Sequence, residues 1–217
     1  MHKPVLITGK QTTFREDLVQ EFLNRSIPVY LTVEDRESDV PQELDSRITP
    51  CTWARRSVLS TRSLLLKVER EVEGFDRAVV LCGPEGINSP VHQTESAVIE
   101  ERIDFSIKGY LFVIREILSS FMRRGGGDLT VIWFDGGSEV LPPFDASLSG
   151  AVQSLVRSLL VYYESEPVTI RGLQAAGGEP REVAHWALEM IVDRADRSAG
   201  RWQKHGQRSG LLPFRKG

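Results

Sequence analysis

The residues near the start of the chain could bind an anion. In the segment VLITGKQTTFRED, Thr8 and Gly9 end an apolar run, and a helix pattern opens a few residues later. The first N–H groups of a helix have no intrahelical partner and carry the positive end of its dipole, which favours an anion. Lys10 and Arg15 add positive charge to the same turn. The segment therefore predicts an anion-binding turn.

Three carboxylates could support a different chemistry. Asp135, Glu139 and Asp145 follow the apolar run at 129–134, where acidic groups could act in hydrolase or transferase reactions. In Asp-Gly-Gly and Pro-Phe-Asp contexts, however, such residues more often form turns and cap helices. We keep hydrolase or transferase chemistry as an alternative only.

The cysteines and histidines form no recognisable metal or nucleophile motif. Cys51 and Cys82 stand far apart, and neither has a second thiol at CxxC distance. The four histidines are scattered along the chain. We expect buried reduced thiols, no metal site and no catalytic histidine.

Length and composition are those of one α/β domain in an ordinary globular protein. The chain has 217 residues, of which 41% are hydrophobic and 26% charged, enough to bury a continuous core. No stretch approaches the roughly 18 apolar residues of a membrane span, and the first residues lead directly into a strand. We expect a cytoplasmic protein that does not contact a membrane.

Charge divides the chain into an acidic body and a basic tail. The net charge is −3, but residues 197–217 hold six basic residues and no acid. The sequence predicts a single domain over 1–196 followed by a solvated tail, rather than a dedicated contact for an anionic partner. Residues 1–196 keep 21 basic against 30 acidic residues, so a nucleic-acid partner is not expected.

Strand and helix patterns alternate along the body of the chain. Short apolar runs predict strands at 3–8, 29–33, 47–51, 78–82, 129–134 and 168–173. Apolar residues at spacings of three and four predict helices at 14–24, 58–71, 99–124, 148–163 and 181–197. This alternation indicates a doubly wound parallel sheet of Rossmann type, in the order 3-2-1-4-5-6. We expect no seventh strand: the sheet ends at strand six, or Leu211, Leu212 and Phe214 dock across its edge.

Four segments together resemble the short-chain dehydrogenase/reductase family, from Val5 to about Ile191. VLITGKQTTFREDLVQEFLNR is similar to the family's first strand, TGxxxGxG loop and first helix. FDRAVVLCGPEG resembles the fourth strand, and FSIKGYLFVIREILSSFMRRGGGDLTVIWF the long helix and fifth strand. PPFDASLSGAVQSLVRSLL resembles the segment that holds the Tyr-x-x-x-Lys motif.

The resemblance implies an NAD site in which two of the three loop glycines are replaced. Thr13 and Arg15 stand at the second and third glycine positions, where glycine lets the backbone approach a pyrophosphate and lets helix and strand pack closely. An acid at the end of strand two resembles the group that favours NAD over NADP. The implied cofactor-binding residues are Thr8, Gly9, Thr13, Phe14, Glu34 and Gly83.

The same resemblance implies that the catalytic residues are lost. The tyrosine position is Phe144, the lysine position Leu148 and the helix asparagine Ser106, while the serine falls near Phe134 or Asp135. Phenylalanine has no proton to give and leucine has no charge to lower a pKa. We therefore expect a non-catalytic binding, regulatory or scaffold subunit. The alternative is a divergent NAD(P)-binding oxidoreductase or nucleotide sensor.

Two helices carry broad apolar faces that suggest self-association. In the family, the helices corresponding to 99–124 and 148–163 pack against a second subunit as a four-helix bundle. The sequence thus predicts a homodimer or tetramer, with an unidentified protein partner as a further possibility.

Overall fold

One sheet of seven parallel strands runs through the part of the chain that the structure describes. The structure is a computed structural model, and it describes residues 3–34, 45–71, 75–137, 140–175 and 177–206. The strand order is β3-β2-β1-β4-β5-β6-β7, and each neighbouring pair is parallel. The strands are β1 Val5–Gly9, β2 Val29–Val33, β3 Ile48–Thr52, β4 Arg77–Cys82, β5 Gly127–Phe134, β6 Val168–Ala175 and β7 Trp202–Lys204.

Helices cover both faces of the sheet. They are α1 Thr13–Asn24, α2 Val58–Glu71, α3 Ser96–Ile103, α4 Gly109–Arg123, α5 Pro143–Tyr162, α6 Pro180–Leu188 and α7 Ala195–Ser198. Because side chains alternate along a strand, β1 sends Leu6 to one apolar core and Val5 and Ile7 to the other. The first core lies under α2, α4 and α5, and the second lies under α1 and α6.

The prediction that the sheet lacks a seventh strand is wrong. β7 pairs with β6, with Trp202 opposite Gly172 and Lys204 opposite Gln174. Gly172 makes this approach possible, because a Cβ at that position would lie 2.1 Å from the ring of Trp202. The strand falls within the predicted tail at 197–217. Residues 207–217, including the proposed docking residues Leu211, Leu212 and Phe214, lie outside the described residues.

Two helices differ from their predicted bounds in ways that matter for the site. The helix predicted over 99–124 consists of α3 and α4 joined by a π-helical turn, Asp104–Lys108. Such turns often occur at functional positions. The helix predicted over 148–163 begins at Pro143 instead, with proline in its first turn. Within the described residues, no helix is both long and apolar enough to cross a membrane.

Candidate active site

The carboxyl ends of β1 and β4 form the centre of the candidate site. Strand order reverses between these two neighbours, since β2 and β3 continue on one side and β5 and β6 on the other. In open α/β sheets, ligands bind in the crevice at such a reversal. The predicted residues Gly9 and Gly83 lie at this edge, at the end of β1 and directly after β4.

Both glycines are required by the backbone packing at this edge. Gly9 has φ +108°, and a Cβ there would lie 2.1 Å from the carbonyl oxygen of Leu81. The following N–H, that of Lys10, donates to that same oxygen at 2.9 Å. A Cβ at Gly83 would lie 2.7 Å from the carbonyl oxygen of Phe134. The β1–α1 turn is thus held tightly against β4.

The first turn of α1 presents its N-terminus at the same edge. Thr12 caps the helix, and its hydroxyl accepts from the N–H of Arg15 at 3.2 Å. Thr13, at the second glycine position, is exposed, so its side chain does not fill a buried groove. The predicted residue Phe14 is buried and stacks on Phe134, with ring centroids 4.6 Å apart.

Arg15 fills the space that the third glycine would leave open. Its side chain is buried and donates from Nη1 to the carbonyl oxygen of Thr32, at 3.0 Å. The hydroxyl of Thr32 in turn contacts the predicted residue Thr8, at 3.2 Å. These contacts join α1, β1 and β2 beneath the edge.

A cleft of about 330 Å³ lies on the β2–β3 side of the reversal. Glu34, which directly follows β2, lines it together with the residues that follow β3. Two aromatic side chains, Trp53 and Phe105, line it as well. The lining residues are Glu34, Trp53, Ala54, Arg55, Arg56, Ser57 and Phe105.

A larger cleft of about 730 Å³ lies on the β5–β6 side. The predicted residue Asp135 lines it, and its carboxylate accepts from the N–H of Gly137 at 2.9 Å, which forms a tight turn. Ser149 and Gln153 of α5 face the cleft and bond to each other at 3.1 Å. Lys204 of β7 completes the opposite wall, so the unpredicted strand contributes directly to the site.

The four positions that correspond to the family's catalytic residues do not form a polar group in the structure. Phe144 is half-buried on α5, and Leu148 is buried in the apolar core with Trp133. Ser106 lies in the π-helical turn, where its hydroxyl is buried without a hydrogen-bond partner among the described residues. Glu139, one of the three alternative carboxylates, lies outside the described residues.

Asp145, another of those carboxylates, has a structural contact. It is buried, and its two oxygens accept from the N–H of Glu85 at 2.7 Å and of Gly86 at 3.1 Å. Asp145 therefore ties α5 to the loop after β4. Among the described residues, no cluster of histidine, cysteine and acidic side chains could hold a metal ion.

A cluster of charges beside the reversal, in which the side chains of Arg55 and Glu85 are buried, was not predicted. Glu85 ion-pairs with Arg55 and Arg102 at 3.8 Å and with Lys10 at 4.0 Å. Burial lowers the pKa of Lys10, although the charge of Glu85 partly offsets this effect. Arg55 and Glu85 each lie three residues after the end of a strand, β3 and β4 respectively, but nothing in their local pattern marks them as buried.

Comparison with known proteins agrees with this geometry. A short chain dehydrogenase from Mycobacterium smegmatis superposes with a TM-score of 0.79 at 14% identity, covering 96% of this chain and 94% of that one. The fold is that of the short-chain dehydrogenases. A 3-ketoacyl-(acyl-carrier-protein) reductase from Brucella melitensis, solved with NADH, gives a TM-score of 0.77 at 14% identity, with coverages of 94% and 96%.

Two further comparisons concern an enzyme structure and a sequence relative. Serine dehydrogenase from Escherichia coli shares the short-chain dehydrogenase fold with a TM-score of 0.72 at 19% identity, covering 92% of this chain and 95% of that one. An uncharacterized oxidoreductase of Staphylococcus saprophyticus is 24% identical over 169 residues, which span 76% of this chain and 71% of the relative. No family model matches the chain.

These comparisons correct the prediction of a non-catalytic subunit. The sequence relative is described as an oxidoreductase, and the structural neighbours above are described as dehydrogenases and a reductase. The prediction assumed that the reaction fails without a tyrosine at 144 and a lysine at 148. Other polar and charged side chains, among them Asp135 and Lys204, line the 730 Å³ cleft.

Proposed function

We propose that this chain is an oxidoreductase of the short-chain dehydrogenase type, which binds a nicotinamide dinucleotide across the carboxyl ends of β1 and β4. The observation that carries the proposal is the pair of clefts, one on each side of the strand-order reversal. A dinucleotide has two halves that need separate pockets joined by a pyrophosphate. The oxidoreductase relative and the neighbour solved with NADH support the same assignment.

The residues at the edge fit such a cofactor. Gly9 keeps the turn close to β4, and the first N–H groups of α1 are available to an anion. Glu34 stands in the 330 Å³ cleft, where a carboxylate would accept hydrogen bonds from ribose hydroxyls and repel a 2′-phosphate. We therefore propose NAD rather than NADP. The bound dinucleotide would supply or accept a hydride, which no protein side chain can do.

Lys204 is the group that we assign to proton transfer. Phe144 and Leu148 have no exchangeable proton, so a proton must reach the substrate oxygen from another side chain of the 730 Å³ cleft. Asp135 lines this cleft but is engaged in its own turn. The ammonium of Lys204 would donate a proton to a carbonyl oxygen, and Ser149 and Gln153 would orient that oxygen by hydrogen bonds.

Binding is tested by titrating NADH and NADPH while following tryptophan fluorescence, since Trp53 lines the 330 Å³ cleft. We expect a saturable change with NADH and a dissociation constant for NADPH about tenfold higher, a difference of about 1.4 kcal/mol. Glu34→Gln should reduce this preference. Glu116→Gln, which removes a carboxylate of α4 that pairs with Arg62 and Arg115, should leave it unchanged. No saturable change with either dinucleotide would contradict the proposal.

Turnover is tested with NADH and a panel of aldehydes and ketones. We expect Lys204→Met to lower kcat by about 100-fold or more, the usual effect of losing a general acid. Arg201→Met removes a nearby positive charge outside the cleft and should leave kcat close to that of the wild type. Binding of NADH without turnover of any carbonyl compound would refute the oxidoreductase assignment.

We also propose a cytoplasmic location. Cys82 is a buried free thiol, which suits a reducing compartment.

A further inference from the structure

Glu85 lies among three cations without forming a hydrogen bond to any of them. Its side chain is only 5% exposed, and the nearest nitrogens of Arg55 and Arg102 are 3.8 Å away and that of Lys10 is 4.0 Å away. Charge-assisted hydrogen bonds are about 2.7–2.9 Å long. The carboxylate thus balances charge but does not satisfy the donors around it.

Several polar atoms in this cluster are buried without a partner. Among the described residues, Nε and Nη1 of Arg55, Nε of Arg102 and Oε1 of Glu85 have no hydrogen bond. Unpaired buried donors are costly. Their convergence on one place indicates that a group with more acceptor oxygens than one carboxylate belongs there.

Neighbouring rings and backbone fix the position of the Arg55 side chain before any ligand binds. Its guanidinium lies 4.2 Å from the ring centroid of Phe105, 5.3 Å from that of Tyr110 and 5.7 Å from that of Trp53. Its aliphatic stem packs on Gly109, where a Cβ would lie 2.4 Å from Arg55 Cγ. A cation fixed by rings and backbone loses little conformational freedom when it binds a ligand.

A second acid beside the cluster, Asp145, hydrogen-bonds to the backbone. Asp145 accepts from the N–H groups of Glu85 and Gly86, so it fixes the loop and leaves the side chain of Glu85 as the carboxylate that faces the cations. Arg55 also lines the 330 Å³ cleft, which gives a path from solvent. Lys10 and Arg102 are partly exposed.

We propose that Lys10, Arg55 and Arg102 bind a phosphate group and that Glu85 occupies this site until phosphate displaces its carboxylate. A phosphate offers more anionic oxygens than a carboxylate, so it can reach the arginine donors at hydrogen-bond distance. Glu85 leaves by rotation of its side chain, while Asp145 keeps the backbone in place. The phosphate belongs to the dinucleotide or to a phosphorylated substrate. In the first case the inference rests on the proposed function.

The test is calorimetric titration of the full chain with inorganic pyrophosphate. We expect Glu85→Gln, which removes the competing charge, to bind pyrophosphate about tenfold more tightly than the wild type. Lys10→Met should bind it about tenfold more weakly. Glu116→Gln is the matched control, because it removes a carboxylate of α4, only 14% exposed, that pairs with Arg62 of α2 and Arg115 of α4. It should bind as the wild type does.

Pyrophosphate binding by Glu85→Gln that equals or falls below that of the wild type would overturn the inference. Because Glu85→Gln removes the carboxylate nearest to the three cations, thermal unfolding without ligand checks that it folds. Should it fail to fold, Lys10→Met decides: unchanged pyrophosphate affinity in that variant also overturns the inference. NADH binding with no effect of Glu85→Gln on either ligand refutes the inference and leaves the proposed function intact. If Glu85→Gln changes pyrophosphate binding as expected but the protein does not bind NADH, the inference stands and the proposed function is refuted.

Discussion

At positions 144 and 148 of α5 the chain carries two side chains that cannot exchange a proton. Phe144 is half-buried and Leu148 packs in the core, so neither position supplies a polar side chain. Asp145, which directly follows Phe144, accepts hydrogen bonds from two backbone N–H groups of the loop after β4. The start of α5 therefore has a structural role, and the proposed proton transfer is assigned to the cleft beside it.

Lys10 gives a prediction about pH. Burial lowers its pKa below the ordinary value of 10.5. Between the lowered pKa and 10.5, the unfolded chain binds more protons at this residue than the folded chain, so the free energy of unfolding rises with pH. Lys10→Met removes this contribution. Urea unfolding from about pH 8 to about pH 10 should show the stability of the wild type growing relative to the variant.

Glu85 provides the internal check on this pH effect. Its charge raises the pKa of Lys10 and so opposes the effect of burial. The effect of Lys10→Met on stability, measured again in the Glu85→Gln background, should therefore depend more steeply on pH. If the stability difference between the wild type and Lys10→Met stays constant or falls as pH rises, Lys10 is not desolvated.

At the scale of elements, the β1–α1 turn is the tightest contact of the site. Gly9→Ala would place a Cβ 2.1 Å from the carbonyl oxygen of Leu81 and would also strain a backbone with φ +108°. Backbone strain alone costs about 1–3 kcal/mol, and the clash adds to it. We expect Gly9→Ala to lower the free energy of unfolding by more than this, measured by urea denaturation.

Gly125→Ala separates strain from steric contact. Gly125 also has a positive φ, +75°, but a Cβ there would meet no atom within 4 Å. Gly125→Ala should therefore lower the free energy of unfolding through backbone strain alone, without a steric clash. Equal losses of stability in Gly9→Ala and Gly125→Ala would mean that the turn does not press against β4 as described.

The elements also show what the sequence could and could not predict. Six strands and their order follow from apolar runs, because strands buried on both faces need such runs. β7 was missed because its three residues, Trp202–Lys204, carry no run, and the strand depends on the space left by Gly172. The start of α5 was missed because its first turn, at Pro143, lacks an apolar face.

At the candidate site, the sequence could indicate where the two glycines lie in the fold, but not which charged side chains are buried. Gly9 and Gly83 could be placed because parallel strands bring their carboxyl ends to one edge. The burial of Arg55 and Glu85 depends on rings and loops from distant segments, including α4 and the π-helical turn. Contacts between such distant segments cannot be predicted from a local sequence pattern.

At the scale of the whole molecule, we propose that α4 and α5 form the interface of a homodimer. Leu111 on α4 is 41% exposed, and Val161 and Tyr162 at the end of α5 are 72% and 81% exposed. Exposed apolar side chains on adjacent helices favour burial against a second copy in a four-helix arrangement. Size-exclusion chromatography with light scattering should give twice the mass of the chain, or four times for a tetramer.

A substitution on α4 tests where the interface lies. Leu111→Glu should shift the wild-type oligomer to monomer, because it would bury a charge without a partner. Leu66→Glu on α2 is the matched control, since Leu66 is 49% exposed on a helix outside the proposed interface. It should keep the wild-type mass. A monomeric wild type would remove the proposal, and dissociation by both variants alike would place the interface elsewhere.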